Sequence, residues 1–505
     1  MTSKAKLLIK GSFLSTISFV INIVVSFLLM PFIIITLGDR YYGLWVVVGS
    51  MIGYYWLADL GVGSAVERYI SREIAVTDES RDDRINTVLN TGVLIFSLAG
   101  LLILVFTLII CLFLPFFVKN VAEISLFRSV FVVMGLSFAL TFPLRAFSGL
   151  VRAFLRFDVF SVTEIVIILT RAVLIILVLK SRGGLVGLAV ITLFMDLCSR
   201  GTHVYFAKKV FPSLKLDKRF IRKEDVKRLF SYGGFTYLSS IANQLRYNVD
   251  NLVIAGFMGL SWVTPYSIAS RLVLYFRKFV GNLFEMTMPL FSQWEGISAF
   301  DHIKTNFLFL TKFNVYLATF ISGMLLCVGK EFILRWMGPK YLDSYPILVV
   351  LILAFFIALL QQTSVSLLKG ISKQKFCAGI DIAEGIINLL LSMFLVRKYG
   401  LLGVAWGTVI PSFFAQLIIL PVYVCRQIKL NLWDYYLHLL GALLKAAGII
   451  LCGYWALKTF LYPSYLRIFG FGLIQAGLFT FIIFKIGFTE VERKLIIERV
   501  TRREK

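Results

Sequence analysis

Charged side chains recur inside segments that are otherwise apolar enough to lie in a membrane. Arg171, Arg246, Arg271, Glu164, Asp250, Asp381 and Glu384 all sit within long apolar runs. A charge at the bilayer centre costs about 2.5–3.5 kcal/mol on insertion scales, so eleven such groups facing lipid would cost roughly 30 kcal/mol. Most must therefore face one another or a water-filled interior. The arginines suit an oxyanion such as a phosphate, because the planar guanidinium offers a fork of N–H donors. At a rise of 1.5 Å per residue, Arg171, Arg246 and Arg271 lie at one level, roughly 15 Å from the outer face. The plainer alternative is that they neutralise acids. Asp250 follows Arg246 by four residues, and Glu164 shares a helical stripe with Arg171. Arg271 has no acid three or four residues away. Arg277 and Lys278, together with Arg145 and Arg152, suit either an entering pyrophosphate or anionic lipid headgroups.

The acids point to a second chemistry. Asp381, Glu384 and Asn388 follow i, i+3, i+7 spacing, so two carboxylates stand one turn apart on one helix face. Such a pair can share a proton or hold a cation. Equally, Asp381 can pair with Lys373 or Lys375 near the inner end of its segment. Glu164, Asp59 and Asp250 carry the same two readings, coupling carboxylate or structural anchor. No GxxxxGK[ST] pattern is present, which excludes ATP hydrolysis through a P-loop. No DxD occurs, and the outer loops are short, which argues against a membrane-embedded glycosyltransferase or polymerase. Six cysteines are scattered singly and read as small buried hydrophobes, and three dispersed histidines give no metal site.

The elements that position these groups follow from composition. Of 505 residues, 59% are hydrophobic and only 16% charged, with mean hydropathy +0.85. Ordinary soluble domains are about 25% charged. The chain reads as an all-α integral membrane protein with about fourteen spans of ~20 residues. The spans fall near 11–37, 43–66, 88–114, 124–148, 158–180, 184–207, 229–257, 262–291, 306–329, 345–368, 376–397, 401–425, 436–460 and 465–487. Lys4, Lys6 and Lys10 precede an apolar run too long for a signal peptide, so that run reads as the first span. The formal charge of +24 does not imply nucleic acid, because its lysines and arginines gather in alternate loops. The strongest run is 208–228. By this bias both termini are cytoplasmic.

The chain also repeats itself. Gly184-Leu-Val-Gly-Leu-Ala189 resembles Gly400-Leu-Leu-Gly-Val-Ala405, and Arg152 and Arg156 match Lys369 and Lys373. Leu37-Gly38 resembles Met258-Gly259. Two six-span units of like orientation are expected, related by an axis along the membrane normal. The organisation is then an N-lobe at 1–207, a basic cytoplasmic linker at 208–228, a C-lobe at 229–428, two extra spans at 429–488 and a basic tail at 489–505. Pro31, Pro143 and Pro411 are expected to interrupt helices.

Two six-span halves plus two extra helices resemble the multidrug/oligosaccharidyl-lipid/polysaccharide exporter superfamily. The segment 37–45 (LGDRYYGLW), then 57–64 (LADLGVGS) and Arg68, is similar to its polysaccharide transporter branch, which includes O-antigen flippases. The resemblance implies a bacterial inner-membrane flippase that moves an undecaprenyl-pyrophosphate-linked oligosaccharide, an O-antigen or related repeat unit, to the periplasmic leaflet. It implies lobes forming a V around a central cationic cavity, with alternating access. Cargo contacts are then expected at Arg246, Arg271, Arg171, Arg277 and Lys278. Coupling to Na+ or H+ is expected at Asp381, Glu384, Glu164, Asp59 or Asp250, with no other cofactor. Expected partners are the lipid-linked glycan, anionic membrane lipids and a polysaccharide polymerase or chain-length complex; the chain itself reads as a monomer. The alternative within the superfamily is an ion-coupled multidrug antiporter, which should favour acids and aromatics over arginines.

Overall fold

A chain in lipid must satisfy its backbone hydrogen bonds internally, and a helix does so within one segment. The long apolar runs accordingly fold as helices. The computed structural model describes residues 3–117, 121–297, 299–460 and 464–501, and no strand occurs among them. The chain divides into two compact units, Met1–Thr264 and Pro265–Lys505.

The first unit begins with α1 (Ser3–Leu37) and α2 (Asp39–Gly53), followed by a 3-10 turn (Tyr54–Asp59) and α3 (Val62–Ile74). It continues with α4 (Arg81–Phe117), α5 (Val121–Thr141), α6 (Arg145–Ala153), α7 (Phe157–Lys180), α8 (Gly184–Val210) and α9 (Lys223–Phe257). Helix α1 packs on α7, and α5 lies against both α4 and α8. Glycine lets α4 and α5 approach closely: a Cβ on Gly100 would meet the Ala139 carbonyl oxygen at 2.6 Å. Helix α9 packs on α2, α3 and α4.

The stretch between α8 and α9 is held along α4. Asn86 donates to the Ser213 carbonyl (3.0 Å) and accepts from the Lys215 N–H (2.9 Å). Asn90 donates to the Lys215 carbonyl (2.8 Å) and accepts from the Asp217 N–H (3.1 Å). Both asparagines are buried, and each satisfies backbone groups that would otherwise lack partners.

The second unit comprises most of α10 (Leu260–Glu285), then α11 (Met288–Gly296), α12 (Phe300–Met337), α13 (Ser344–Leu360) and α14 (Gln362–Gly370). It ends with α15 (Gln374–Phe414), α16 (Leu420–Gln427), α17 (Leu432–Leu457), α18 (Tyr465–Ile482) and α19 (Glu490–Thr501). Helix α12 packs on α13, α17 and α18. Non-helical backbone at Gly400 divides α15. Helix α19 starts with a capping box: the Thr489 N–H donates to Glu492 (2.7 Å), and the Glu492 N–H donates to the Thr489 hydroxyl (3.3 Å). Lys312 on α12 reaches the same carboxylate at 2.8 Å.

The repeat is visible in the backbone. Helices α6 and α14 each have nine residues, 217 positions apart, and α1 and α9 each have 35. Leu155 and Ser372 both have φ of 60°, Gly184 and Gly400 have φ of 59° and 57°, and Gly38 and Gly259 are also left-handed.

Ten described helices are long and apolar enough to cross a membrane, or eleven if the bent pair Asp39–Asp59 and Val62–Ile74 is one span. The expectation of about fourteen also counts α9 and α10 and divides Gln374–Gln427 at Gly400. Helices α9 and α10 fall outside the ten because of polar residues such as Gln244, Asn248, Asp250, Arg271 and Arg277. Of the three prolines, Pro143 separates α5 from α6, Pro411 precedes a π-turn at Ala415–Ile419, and Pro31 is accommodated within α1. A break not foreseen lies at Leu60 and Gly61.

Candidate functional site

That break shapes one wall of the site. Leu60 and Gly61 have φ of 52° and 76°, so the chain leaves the 3-10 turn and restarts as α3, bent by 41°. Asp59 bridges the break. Its Oδ1 accepts the Gly63 N–H at 3.0 Å, and its Oδ2 lies 2.5 Å from Arg145 Nη2. A carboxylate there meets the unpaired amides at the start of α3. The Arg145 guanidinium stacks over Trp56 (4.3 Å) and Phe142 (4.9 Å).

Helix α6 presents Arg145, Ser148 and Arg152 at i, i+3, i+7 and buries Ala146, Phe147, Leu150 and Val151 on its other side. Helix α8 brings Asp196, Arg200 and His203 to the same place. Asp196 accepts from Arg171 on α7 at 2.6 Å and from Ser137 at 3.2 Å. Arg200 donates to the Ser148 hydroxyl (3.2 Å), which also lies 2.9 Å from His203 Nδ1. Arg152 is 3.9 Å from Glu67 on α3 and lies over Phe160.

These side chains line two cavities of the first unit. One, of about 320 Å³, is walled by Trp56, Asp59, Arg145, Ser148 and the start of α3. The other, of about 610 Å³, is walled by Glu164, Arg171, His203, Phe157 and Phe160, with Ser15 and Asn22 of α1. Glu67, Arg152 and Arg200 belong to both. Four guanidiniums therefore converge here. Arg145 Nη1 and Arg171 Nε are buried and have no hydrogen-bond partner. Arg200 donates to the neutral hydroxyl of Ser148. Guanidinium donors with unspent capacity form a receptacle for oxyanions.

The second unit places different chemistry at the repeat-related positions. Offsets of 217 before Gly400 and 216 after it carry Ile167 to Glu384, Arg171 to Asn388, Asp196 to Ser412 and Arg200 to Gln416. Glu384 is 2% exposed and accepts hydrogen bonds from Ser412 and from Gln416 (3.0 Å). Ser392 donates to Asn388 at 2.8 Å. Asp381, a turn earlier, is half-buried.

The remaining anticipated residues disperse. Arg171 joins the cavity, but its acidic partner is Asp196 rather than Glu164, which is exposed and accepts from Ser18 at 2.8 Å. Asp250 is buried on α9. The side chain of Arg246 lies outside the described residues. Arg271 and Lys278 are exposed and Arg277 half-buried on α10, in the second unit. Sequence reasoning missed Arg200, His203 and Glu67. Their signal was the spacing of Arg200 and His203 on α8 against Arg145, Ser148 and Arg152 on α6.

Residues 8–295 match the family described as polysaccharide biosynthesis protein. The chain belongs to that family. A Shigella flexneri protein named "Putative O-antigen transporter" is 24% identical over 407 residues, 79% of this chain and 93% of that one. Among solved structures, the lipid II flippase MurJ in an inward closed conformation aligns with TM-score 0.69 at 14% identity, covering 94% of this chain and 99% of that one. An inward-facing multidrug resistance MATE transporter of the MOP superfamily aligns with TM-score 0.67 at 15% identity, covering 81% and 98%. The fold is thus that of the MurJ and MATE structures, and this member of the polysaccharide biosynthesis family is a multi-pass membrane protein.

Proposed function

We propose that this transporter flips a lipid-linked oligosaccharide, carried on undecaprenyl pyrophosphate, from the cytoplasmic to the periplasmic leaflet of a bacterial inner membrane, with both termini cytoplasmic. The observation that carries this is the convergence of Arg145, Arg152, Arg171 and Arg200 on two adjoining cavities. A pyrophosphate offers them acceptor oxygens, and charge-assisted hydrogen bonds are the strong ones. The S. flexneri relative's name and the MurJ fold support the same cargo class. Arg271, Arg277 and Lys278 of α10 are assigned to the headgroup's path, as is Arg246. The two lobes rock between inward and outward access.

Coupling is assigned to Glu384. Its carboxylate is buried and accepts hydrogen bonds from Ser412 and Gln416, which gives the second unit an enclosed acidic group. Asp381, one turn away, is the second carboxylate of that site. A cationic drug is poorly served by the guanidinium cavity, which disfavours the antiporter alternative.

The test is reconstitution in liposomes with fluorescently labelled lipid-linked oligosaccharide, read by loss of access to an impermeant quencher. Transfer by the wild type, and its loss in Arg200→Ala and Arg152→Ala, is expected. Correctly inserted protein that moves no lipid-linked sugar would overturn the reading.

A further inference from the structure

The two cavities are not alike, and the larger holds groups that a pyrophosphate does not need. His203 is 4% exposed, and its Nε2 is buried without a hydrogen-bond partner. Its Nδ1 faces the Ser148 hydroxyl, which already accepts from Arg200. The hydroxyl proton is then free for Nδ1, which places the ring proton on Nε2. The imidazole is held in that pose against Phe160, ring centres 4.3 Å apart. A buried N–H without an acceptor costs about 1–3 kcal/mol, so a ligand that supplies one is favoured. On the same wall, Glu164 is exposed and accepts from Ser18 through one oxygen, Oε2.

We propose that the larger cavity reads the sugar attached to the pyrophosphate. In this assignment, which rests on the headgroup reading above, His203 Nε2–H donates to a ring substituent oxygen and Glu164 accepts from a hydroxyl. Phe157 and Phe160 supply the apolar wall on which a sugar face rests. The shared arginines, Arg152 and Arg200, sit where pyrophosphate and sugar join. Glu164 and Glu67 share this cavity with Arg152, Arg171 and Arg200, so the sugar is held through its hydroxyls, with the Glu164 carboxylate as their acceptor.

The experiment compares three probes on the detergent-solubilised full chain by calorimetry: farnesyl diphosphate, its glucose conjugate and its tetra-O-methylglucose conjugate. The wild type is expected to bind the glucose conjugate more tightly than the methylated conjugate, whose hydroxyls cannot donate to Glu164. His203→Phe is expected to lower affinity for the glucose conjugate, relative to farnesyl diphosphate, by about five- to tenfold, the worth of one hydrogen bond. Glu164→Gln is expected to narrow the gap between the two sugars. Because Glu164 is exposed, that variant keeps the test intact if His203→Phe does not fold. Equal losses for sugar-bearing and sugar-free probes, no loss at all, or a preference for the methylated sugar overturns the proposal. Arg200-dependent binding of farnesyl diphosphate with no sugar discrimination sinks this inference alone. No binding of any probe sinks the headgroup reading with it.

Discussion

A buried guanidinium with an unspent N–H and a buried carboxylate held by hydroxyl and amide donors are opposite electrostatic problems. The protein keeps one in each unit. Arg145 is anchored by Asp59 and by the faces of Trp56 and Phe142. Its replacement by alanine strands Asp59, and breaking a largely buried pair costs about 3 kcal/mol. Arg145→Ala should therefore lower the thermal unfolding midpoint in detergent, whereas Arg145→Lys should lower it less. Glu384→Gln keeps shape and hydrogen-bonding capacity but removes the charge. Transport by this variant should lose its response to an imposed Na+ or proton gradient, measured in the liposome assay with and without that gradient. The residue scale is also where sequence reasoning ran out. Arg171 was legible as an intramembrane charge, but Asp196 lies 25 positions away on the next helix, and no local spacing identifies it. Arg200 and His203 were hidden because polar residues toward the end of an apolar segment read as solvated.

Elements fared better in the sequence than contacts did. Apolar runs located the helices, and the glycine-led motifs at 184 and 400 located the duplication, because glycine is the residue that takes positive φ without strain. The break between α2 and α3 escaped notice, since Leu60 gives no sign of a left-handed backbone. Gly61, at φ 76°, holds that break with no Cβ. Gly61→Val should destabilise the fold by about 1–2 kcal/mol, read as a lower unfolding midpoint. At the other end, burial pushes the Glu492 carboxyl up, but the Lys312 ammonium and the Thr489 N–H and hydroxyl together hold it below the ordinary glutamate value of 4.5. The sign follows: a group depressed in the folded state stabilises above its unfolded value, and that contribution disappears as pH falls below about 4.5. Amide exchange in α19 should therefore accelerate on acidification beyond the intrinsic rate change, and Lys312→Met should abolish the pH dependence of that protection.

For the whole molecule, matched turns and helix lengths recur in two stretches of the chain, with different side chains at matched positions. Arg171, Asp196 and Arg200 stand where the second copy has Asn388, Ser412 and Gln416, in a backbone with matching positive-φ turns. The repeat boundary and the packing boundary do not coincide: α9 opens the second copy yet packs within the first unit. The two asparagines that fasten residues 213–217 to α4 therefore tie together parts of one folded body. An epitope tag spliced between Thr77 and Asp78, where the chain between α3 and α4 is exposed, should leave the yield of folded protein intact. The same tag at 214–216 should reduce it, as size-exclusion profiles of the two insertions can establish. Surface anchoring or labelling of this protein should therefore avoid the stretch that follows α8, which behaves as part of the wall.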